Sequence, residues 1–275
     1  MQPPQPPQPA PDAWSPEQYA RFGAERSQPF YDLLALVRPS PGMRVADLGC
    51  GTGELTQALH RRLQARETIG IDNSDAMLAA SRAFAGGGLR FEKGDIGAFP
   101  AAAGAGAAGA AGRFDLVFSN AALQWLPDHE AVVRRWTAAL AAGGQLAVQI
   151  PANEDYPSHV VAREVAGESP FREALGGHVR RFGNLTPEGY ATLLDRLGYG
   201  EQHVRLQVYA HYLPARDAVV EWVRGTLITD YQQRLPPALF AAFLERYRER
   251  LLPRLADTRP FFYPFKRILF WARRR

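Results

Sequence analysis

Residues 45–54 read Val-Ala-Asp-Leu-Gly-Cys-Gly-Thr-Gly-Glu, an apolar run that ends on three closely spaced glycines and passes straight into a helical pattern. No other stretch constrains the fold as strongly. Glycines permit positive φ and let a ligand approach the backbone, and the helix start behind them offers unpaired N–H groups. A strand, turn and helix of this kind belong to an open α/β sheet that binds ligands outside the carboxyl ends of its strands. The rest of the chain repeats the alternation. Short apolar runs at 44–48, 68–71, 89–92, 114–119 and 145–150 read as strands, with helical periods at 54–63, 74–84 and 129–140 between most of them. That order gives a parallel sheet with helices on both faces and right-handed crossovers.

The flanks read differently. Residues 1–13, rich in Pro and Gln, carry nothing to bury and are expected to form a disordered tail, leaving 14–275 as one domain. Ser15-Pro16-Glu17-Gln18 is a helix start, and the helical pattern runs on to Val37, with Pro29 as a point where it can break. Residues 100–112, PAAAGAGAAGAAG, read as a flexible surface loop, because each glycine costs a helix about 1 kcal/mol. Beyond Ile150 a long connection carries Pro157-Ser158-His159 and Arg180-Arg181. It leads to a helix at 187–197, a strand at 204–212, helical patterns at 215–227 and 236–252, and an aromatic, β-prone segment at 261–272. The helices of residues 213–258 form an insertion large enough to act as a lid and to supply part of a substrate pocket.

Composition removes several function classes. The net charge is +4, but 32 basic residues are interspersed with 28 acidic ones, so there is no basic stripe for nucleic acid. The one cysteine, Cys50, excludes an internal disulfide and cannot build a zinc site, so no metal is expected. Cys50 itself suits a small buried spacer. With no secretion signal and no apolar run of about 18 residues, the expected location is the cytoplasm, without a membrane partner. Lysine occurs only at 93 and 266; the remaining cations are arginines, whose planar fork suits carboxylates.

The glycine turn departs from a dinucleotide fingerprint. That fingerprint is G-x-G-x-x-G, whereas here Glu54 occupies the third position and Asp47 precedes the turn. Acids around the turn repel a pyrophosphate and attract an ammonium group, so Asp47 suits a ligand with a cationic amino-acid part. Asp72, at the end of the second strand, is placed to accept hydrogen bonds from ribose hydroxyls. Asp95 and Ile96, after the third strand, suit the edge and face of an adenine. After the fourth strand comes Ser-Asn-Ala-Ala-Leu-Gln-Trp-Leu-Pro-Asp-His, residues 119–129, a polar and aromatic exit from a core strand. At that strand end Asn120 can direct its amide toward the cofactor's amino-acid part, and Gln124 and Trp125 can wall the space beside it. Asp128 suits the N-cap of the next helix.

This set, over residues 43–150, resembles the Rossmann-like class I methyltransferases that use S-adenosylmethionine. The resemblance implies a seven-stranded, mostly parallel sheet of order 3-2-1-4-5-7-6 with the last strand antiparallel. It places Asp47, Gly49, Gly51, Gly53, Asp72, Asn73, Met77, Asp95, Ile96 and Asn120 at the cofactor. Further segments look like one family, the trans-aconitate 2-methyltransferases: Phe22 to Ser27, VADLGCGTG, GIDNSDAM from Gly70, SNAALQWLPDH, LAVQIP from Leu146, and Tyr263 to Arg274. One pattern departs: Gly225 to Tyr231, GTLITDY, stands where the family often carries Gly-Leu-Arg-Pro.

The resemblance implies methyl transfer to a carboxylate of trans-aconitate or a related polycarboxylic acid. An ionised carboxylate is itself the nucleophile, so no general base is needed and no catalytic residue beyond positioning by Asn120, Gln124 and Trp125 is assigned. The anion calls for cations and hydrogen-bond donors: His159, Arg181, Arg224, Tyr231 and Arg267 are the candidates, with Arg26 in the first helix. Tyr19, Phe22 and Arg26 share one helical face and could close over the cofactor. Rival readings keep the cofactor but change the acceptor to a hydroxyl, amine or carbon, or dispense with catalysis. A nucleic-acid base is disfavoured because no Pro-Pro-aromatic motif follows Asn120. The expected partner is a small anionic metabolite and the expected state a monomer.

Overall fold

The computed structural model describes residues 23–100 and 114–275, with the backbone alone for 23–26. The expectations for the Pro/Gln tail, the helix start at Ser15, Tyr19, Phe22 and the Ala/Gly loop from 101 onward lie outside the described residues. Seven strands form one sheet: β1 (Arg44–Leu48), β2 (Glu67–Asp72), β3 (Leu89–Lys93), β4 (Phe114–Asn120), β5 (Leu140–Pro151), β6 (Tyr199–Leu213) and β7 (Phe261–Arg274). Their order is β3-β2-β1-β4-β5-β7-β6. Neighbours from β3 through β5 pair in parallel, and β7 runs antiparallel to both β5 and β6, as the sequence led one to expect.

Period-two alternation divides the central strands between two apolar cores. Leu116, Phe118, Ala147, Leu269 and Trp271 face one side, where they meet α1 (Gly23–Leu34) and α2 (Glu54–Leu63). Val117, Leu146, Val148, Ile268 and Phe270 face the other, against α4 (His129–Ala138) and α7 (Pro187–Arg196). The remaining helices are α3 (Asp75–Ser81), α5 (Pro157–Ala166), α6 (Phe171–Ala174), α8 (Ala218–Arg224), α9 (Thr229–Arg234) and α10 (Pro237–Leu251). Helix starts follow the residues at them: Ser74, Asp128 and Thr186 each accept a backbone N–H of the first turn, and Pro187 opens α7.

Two local expectations change. The helical pattern does not break at Pro29, which lies inside α1. Residues 157–166, assigned to a long connection, form a helix that starts at Pro157 and buries Val161, Ala162 and Val165. Beside it, α8, α9 and α10 enclose a third core in which Tyr231, Phe243, Tyr247 and Tyr263 are fully buried. The insertion therefore does not pack alone: α5, from before the sixth strand, completes its core. No helix among the described residues is long and apolar enough to cross a membrane.

Candidate active site

The glycine turn is pinned by hydrogen bonds within the protein. The N–H groups of Gly49 and Cys50 both donate to the Ile71 carbonyl, at 2.8 and 3.1 Å, and that of Gly51 donates to Oδ2 of Asp72 at 2.9 Å. Oδ1 of Asp72 accepts the Ser74 N–H at 3.0 Å, so the carboxylate at the end of β2 is fixed by backbone on both oxygens. Around it lies a cavity of about 290 Å³ at the carboxyl ends of β1, β2, β3 and β4. Gly49, Gly51, Asp72, Asn73, Met77, Asp95, Ile96 and Asn120 all line it.

The three glycines differ in what they do. All have positive φ, at +84°, +54° and +82°. A Cβ on Gly49 would lie 2.2 Å from the Ala122 Cβ, and one on Gly53 would lie 2.7 Å from the Phe91 ring and 2.8 Å from the Ser81 Cβ. A Cβ on Gly51 would meet no protein atom within 4 Å, at a position that lines the cavity. Gly51 is thus the glycine that keeps space open for a ligand, whereas Gly53 lets α2 pack and does not reach the cavity wall.

Asp47 also stands behind the wall. It is 4 % exposed, and Thr56 Oγ1 donates to its Oδ2 at 2.6 Å. Burial pushes its pKa from 3.8 to about 7, opposed by the Thr56 hydrogen bond and assisted by the nearby charge of Asp72. Asn120 brings an unsatisfied acceptor to the cavity it lines: its Oδ1 is buried without a hydrogen-bond partner.

A second, smaller cavity of about 90 Å³ adjoins the first through Ala121 and Trp125, which line both. Its wall includes Gln124, His159, Phe182, Trp222, Thr226, Leu227 and Arg267. Ala121 adopts φ +54°, and its carbonyl accepts the Gln124 side-chain N–H at 2.6 Å, so this tight turn after β4 sets the partition between the cavities. Arg267 is 5 % exposed, with its guanidinium 4.9 Å from the Phe265 ring and donating to Gln149 Oε1 at 3.3 Å. Burial, helped by Arg163, lowers the His159 pKa to about 3, so the ring is neutral near pH 7.

The other acceptor candidates lie elsewhere. Arg224 is exposed and paired with Glu221 at 3.8 Å, and Arg181 is exposed and lines neither cavity. Tyr231 is fully buried in the third core, where its hydroxyl accepts the Arg180 N–H at 3.2 Å. The side chain of Arg26 lies outside the described residues. Arg180, the neighbour of the predicted Arg181, is the arginine that lines the first cavity, together with Thr229, Asp230 and Gln233 of α9. Nothing in the sequence separates Arg180 from Arg181, because the segment 178–186 has no regular period. The GTLITDY departure thus places Thr226 and Leu227 on the second cavity and Thr229 and Asp230 on the first. Trp125 walls the space as expected, its half-buried ring being common to both cavities.

Comparison with known proteins agrees with this architecture. Residues 39–188 match a methyltransferase domain family. A trans-aconitate 2-methyltransferase of Deinococcus radiodurans is 42% identical over 95% of this chain and 98% of its own length. That of Variovorax paradoxus is 40% identical over 86% of this chain and 88% of its own. Among solved structures, the YcgJ protein of Bacillus subtilis has a TM-score of 0.58 at 16% identity, over 90% of this chain and 98% of that one. A phosphoethanolamine N-methyltransferase 2 of Haemonchus contortus, in complex with phosphomonomethylethanolamine and S-adenosylhomocysteine, has a TM-score of 0.56 at 15% identity, over 94% and 57%. These two likenesses concern the fold. With its sheet order, its glycine turn and its identity to curated relatives over nearly the whole chain, this protein belongs to the trans-aconitate 2-methyltransferase family of class I methyltransferases.

Proposed function

We propose that this chain transfers a methyl group from S-adenosylmethionine to one carboxylate of trans-aconitate, or of a closely related small polycarboxylic acid, giving a monomethyl ester and S-adenosylhomocysteine. The observation that carries the reading is the pair of adjoining cavities, the second of which contains the buried cation Arg267. Its relatives' names supply the acid. On this reading the protein works as a cytoplasmic monomer on a freely diffusing anion, with no nucleic-acid or membrane partner.

The first cavity fits the cofactor on its own chemistry. The open space above Gly51 admits a ligand against the backbone, Asp72 keeps acceptor capacity for hydroxyls, and the orphaned Asn120 Oδ1 suits an ammonium. Asp95 and Ile96 would hold the adenine, with Asn73 and Met77 completing the wall. Asp47 would act through its charge from beneath the glycine turn. When bound, the cofactor supplies an electrophilic methyl on a sulfonium.

The protein's own work is positional. A carboxylate oxygen forms the new O–C bond as the C–S bond breaks, the electron pair goes to sulfur, and no proton moves. Trp125 and Ala121 fix where the two cavities meet, and residues 213–258 close the acceptor side through Trp222, Val223, Thr226 and Leu227. Arg267 holds the anion in a dry wall, where its attraction is stronger than in water. His159, neutral and a weak base at a pKa of about 3, hydrogen-bonds rather than abstracts a proton, which counts against an amine or hydroxyl acceptor. The test is transfer of labelled methyl from S-adenosylmethionine to trans-aconitate, cis-aconitate, citrate and isopropylmalate, with the product hydrolysed by mild base. If none of the four acids takes up label, the proposal is rejected.

A further inference from the structure

Building on that reading, we infer that Arg180 anchors the acceptor: it takes a carboxylate adjacent to the one methylated, at the junction of the two cavities, and so makes the site selective for acids with several carboxylates. The position comes first. Arg180 lines the first cavity, and its guanidinium carbon lies 4.6 Å from the Trp125 ring, which is common to both cavities. It lies 4.9 Å from the Phe182 ring, which lines the second. A guanidinium that lies over aromatic rings keeps its N–H edges for a planar bidentate partner.

Its present partners leave it short of hydrogen bonds. The side chain is 15% exposed, and Nε is buried without a hydrogen-bond partner. Among the described residues one carboxylate reaches it, that of Asp230, at 3.6 Å and therefore outside direct hydrogen-bonding range. Asp230 serves two other bases more closely, His178 at 2.7 Å and Arg234 at 3.2 Å. Burial disfavours the charged form of Arg180. A buried guanidinium in that condition is costly to keep unless a ligand completes it. A carboxylate arriving from the second cavity can take the Nε–H and an Nη–H together, while Asp230 retains His178 and Arg234.

The segment is also held in place to receive it. The Arg180 N–H donates to the buried hydroxyl of Tyr231, and His178 bonds Asp230, so residues 178–180 are fastened to α9 at two points. With Arg267 on the second cavity and Arg180 on the first, beside the Trp125 ring common to both, two arginines can face one acid, and the oxygen that attacks needs neither. Its nucleophilicity is thereby preserved, since strong hydrogen bonds to it would have to be broken in the transition state.

The experiment compares wild type with R180K and R180Q by calorimetry, titrating S-adenosylhomocysteine first and then trans-aconitate into the saturated complex, with steady-state kinetics alongside. Loss of charge-assisted hydrogen bonds predicts trans-aconitate binding about 10- to 100-fold weaker and KM raised in step, in R180K as in R180Q, because lysine has no fork. S-adenosylhomocysteine affinity is expected to stay within about twofold of wild type, on the same hydrogen-bond accounting. Unchanged acceptor binding overturns the inference. So does weakening of S-adenosylhomocysteine in proportion, which would make Arg180 a cofactor or structural residue. If wild type binds trans-aconitate but does not methylate it, the proposed reaction fails while the binding comparison still decides the role of Arg180. If wild type does not bind it, both fall.

Discussion

Asp47→Asn isolates the cost of keeping a carboxylate beneath the glycine turn. The carboxyl lies between β1 and α2, with Thr56 donating to it, Asp72 adding like charge, and burial raising its pKa from 3.8 to about 7. A folded-state pKa above the unfolded one means that the native state holds more protons. Stability from this group is therefore fully present below about pH 4 and is lost as pH rises through about 7. A shift of about three pKa units corresponds to about 4 kcal/mol at alkaline pH, by order of magnitude. Asparagine is nearly isosteric with the protonated acid and cannot ionise, so it escapes the loss. Urea melts of wild type and D47N from about pH 4.5 to about pH 8.5 should show D47N ahead by only about 1 kcal/mol at the acid end and by about 2–4 kcal/mol at the alkaline end. A stability difference that does not change with pH would refute the reasoning, because it would mean that the carboxylate is as well solvated folded as unfolded.

Four further outcomes follow from the same geometry. Gly49→Ala should lower stability by about 2–4 kcal/mol, since its Cβ would lie 2.2 Å from that of Ala122, whereas Gly51→Ala should cost only about 1–2 kcal/mol of strain. Gly51→Ala should instead weaken S-adenosylhomocysteine about tenfold or more by calorimetry, since the added methyl has no protein neighbour and occupies ligand space. In D47N, where the carboxyl with a pKa of about 7 is gone, esterification should show a kcat independent of pH from about 6 to about 9, because the acceptor is already ionised and His159, with a pKa of about 3, does not titrate there; a limb near pH 6.5 in that variant would point to a general base. Arg267→Gln should raise the acceptor KM about 10- to 100-fold with cofactor affinity retained, measured by initial rates and calorimetry.

Much of this was legible because local rules and tertiary packing agreed. The central strands are buried on both faces, so they read as short apolar runs, and each ends at a glycine, an acid or an amide residue. The helix at 157–166 was less legible. Its apolar positions fit a helix and Pro157 suits a helix start, yet it lies between irregular segments, and its buried face is matched by helices more than fifty residues later. Arg180 and Arg181 mark the limit more sharply. Adjacent arginines in a segment without a period are equivalent in sequence, and only the stacking of one against Trp125 and Phe182 distinguishes them.

The sequence alone determined the doubly wound sheet and the place of the ligand at its carboxyl ends, because hydrophobic periodicity and glycine turns act locally and leave marks in neighbouring residues. It also placed SNAALQWLPDH at the wall of the first cavity, since residues just past a strand end leave the core. Tertiary structure decided the rest: that Gly51 faces the open cavity and Gly53 faces Phe91, that Asp47 lies beneath the turn, and that Arg180 and Arg267, 87 positions apart, stand by the same pair of cavities. Those outcomes depend on distances between segments remote in the chain. Such distances are set by how three cores pack against one another, and no local pattern records them.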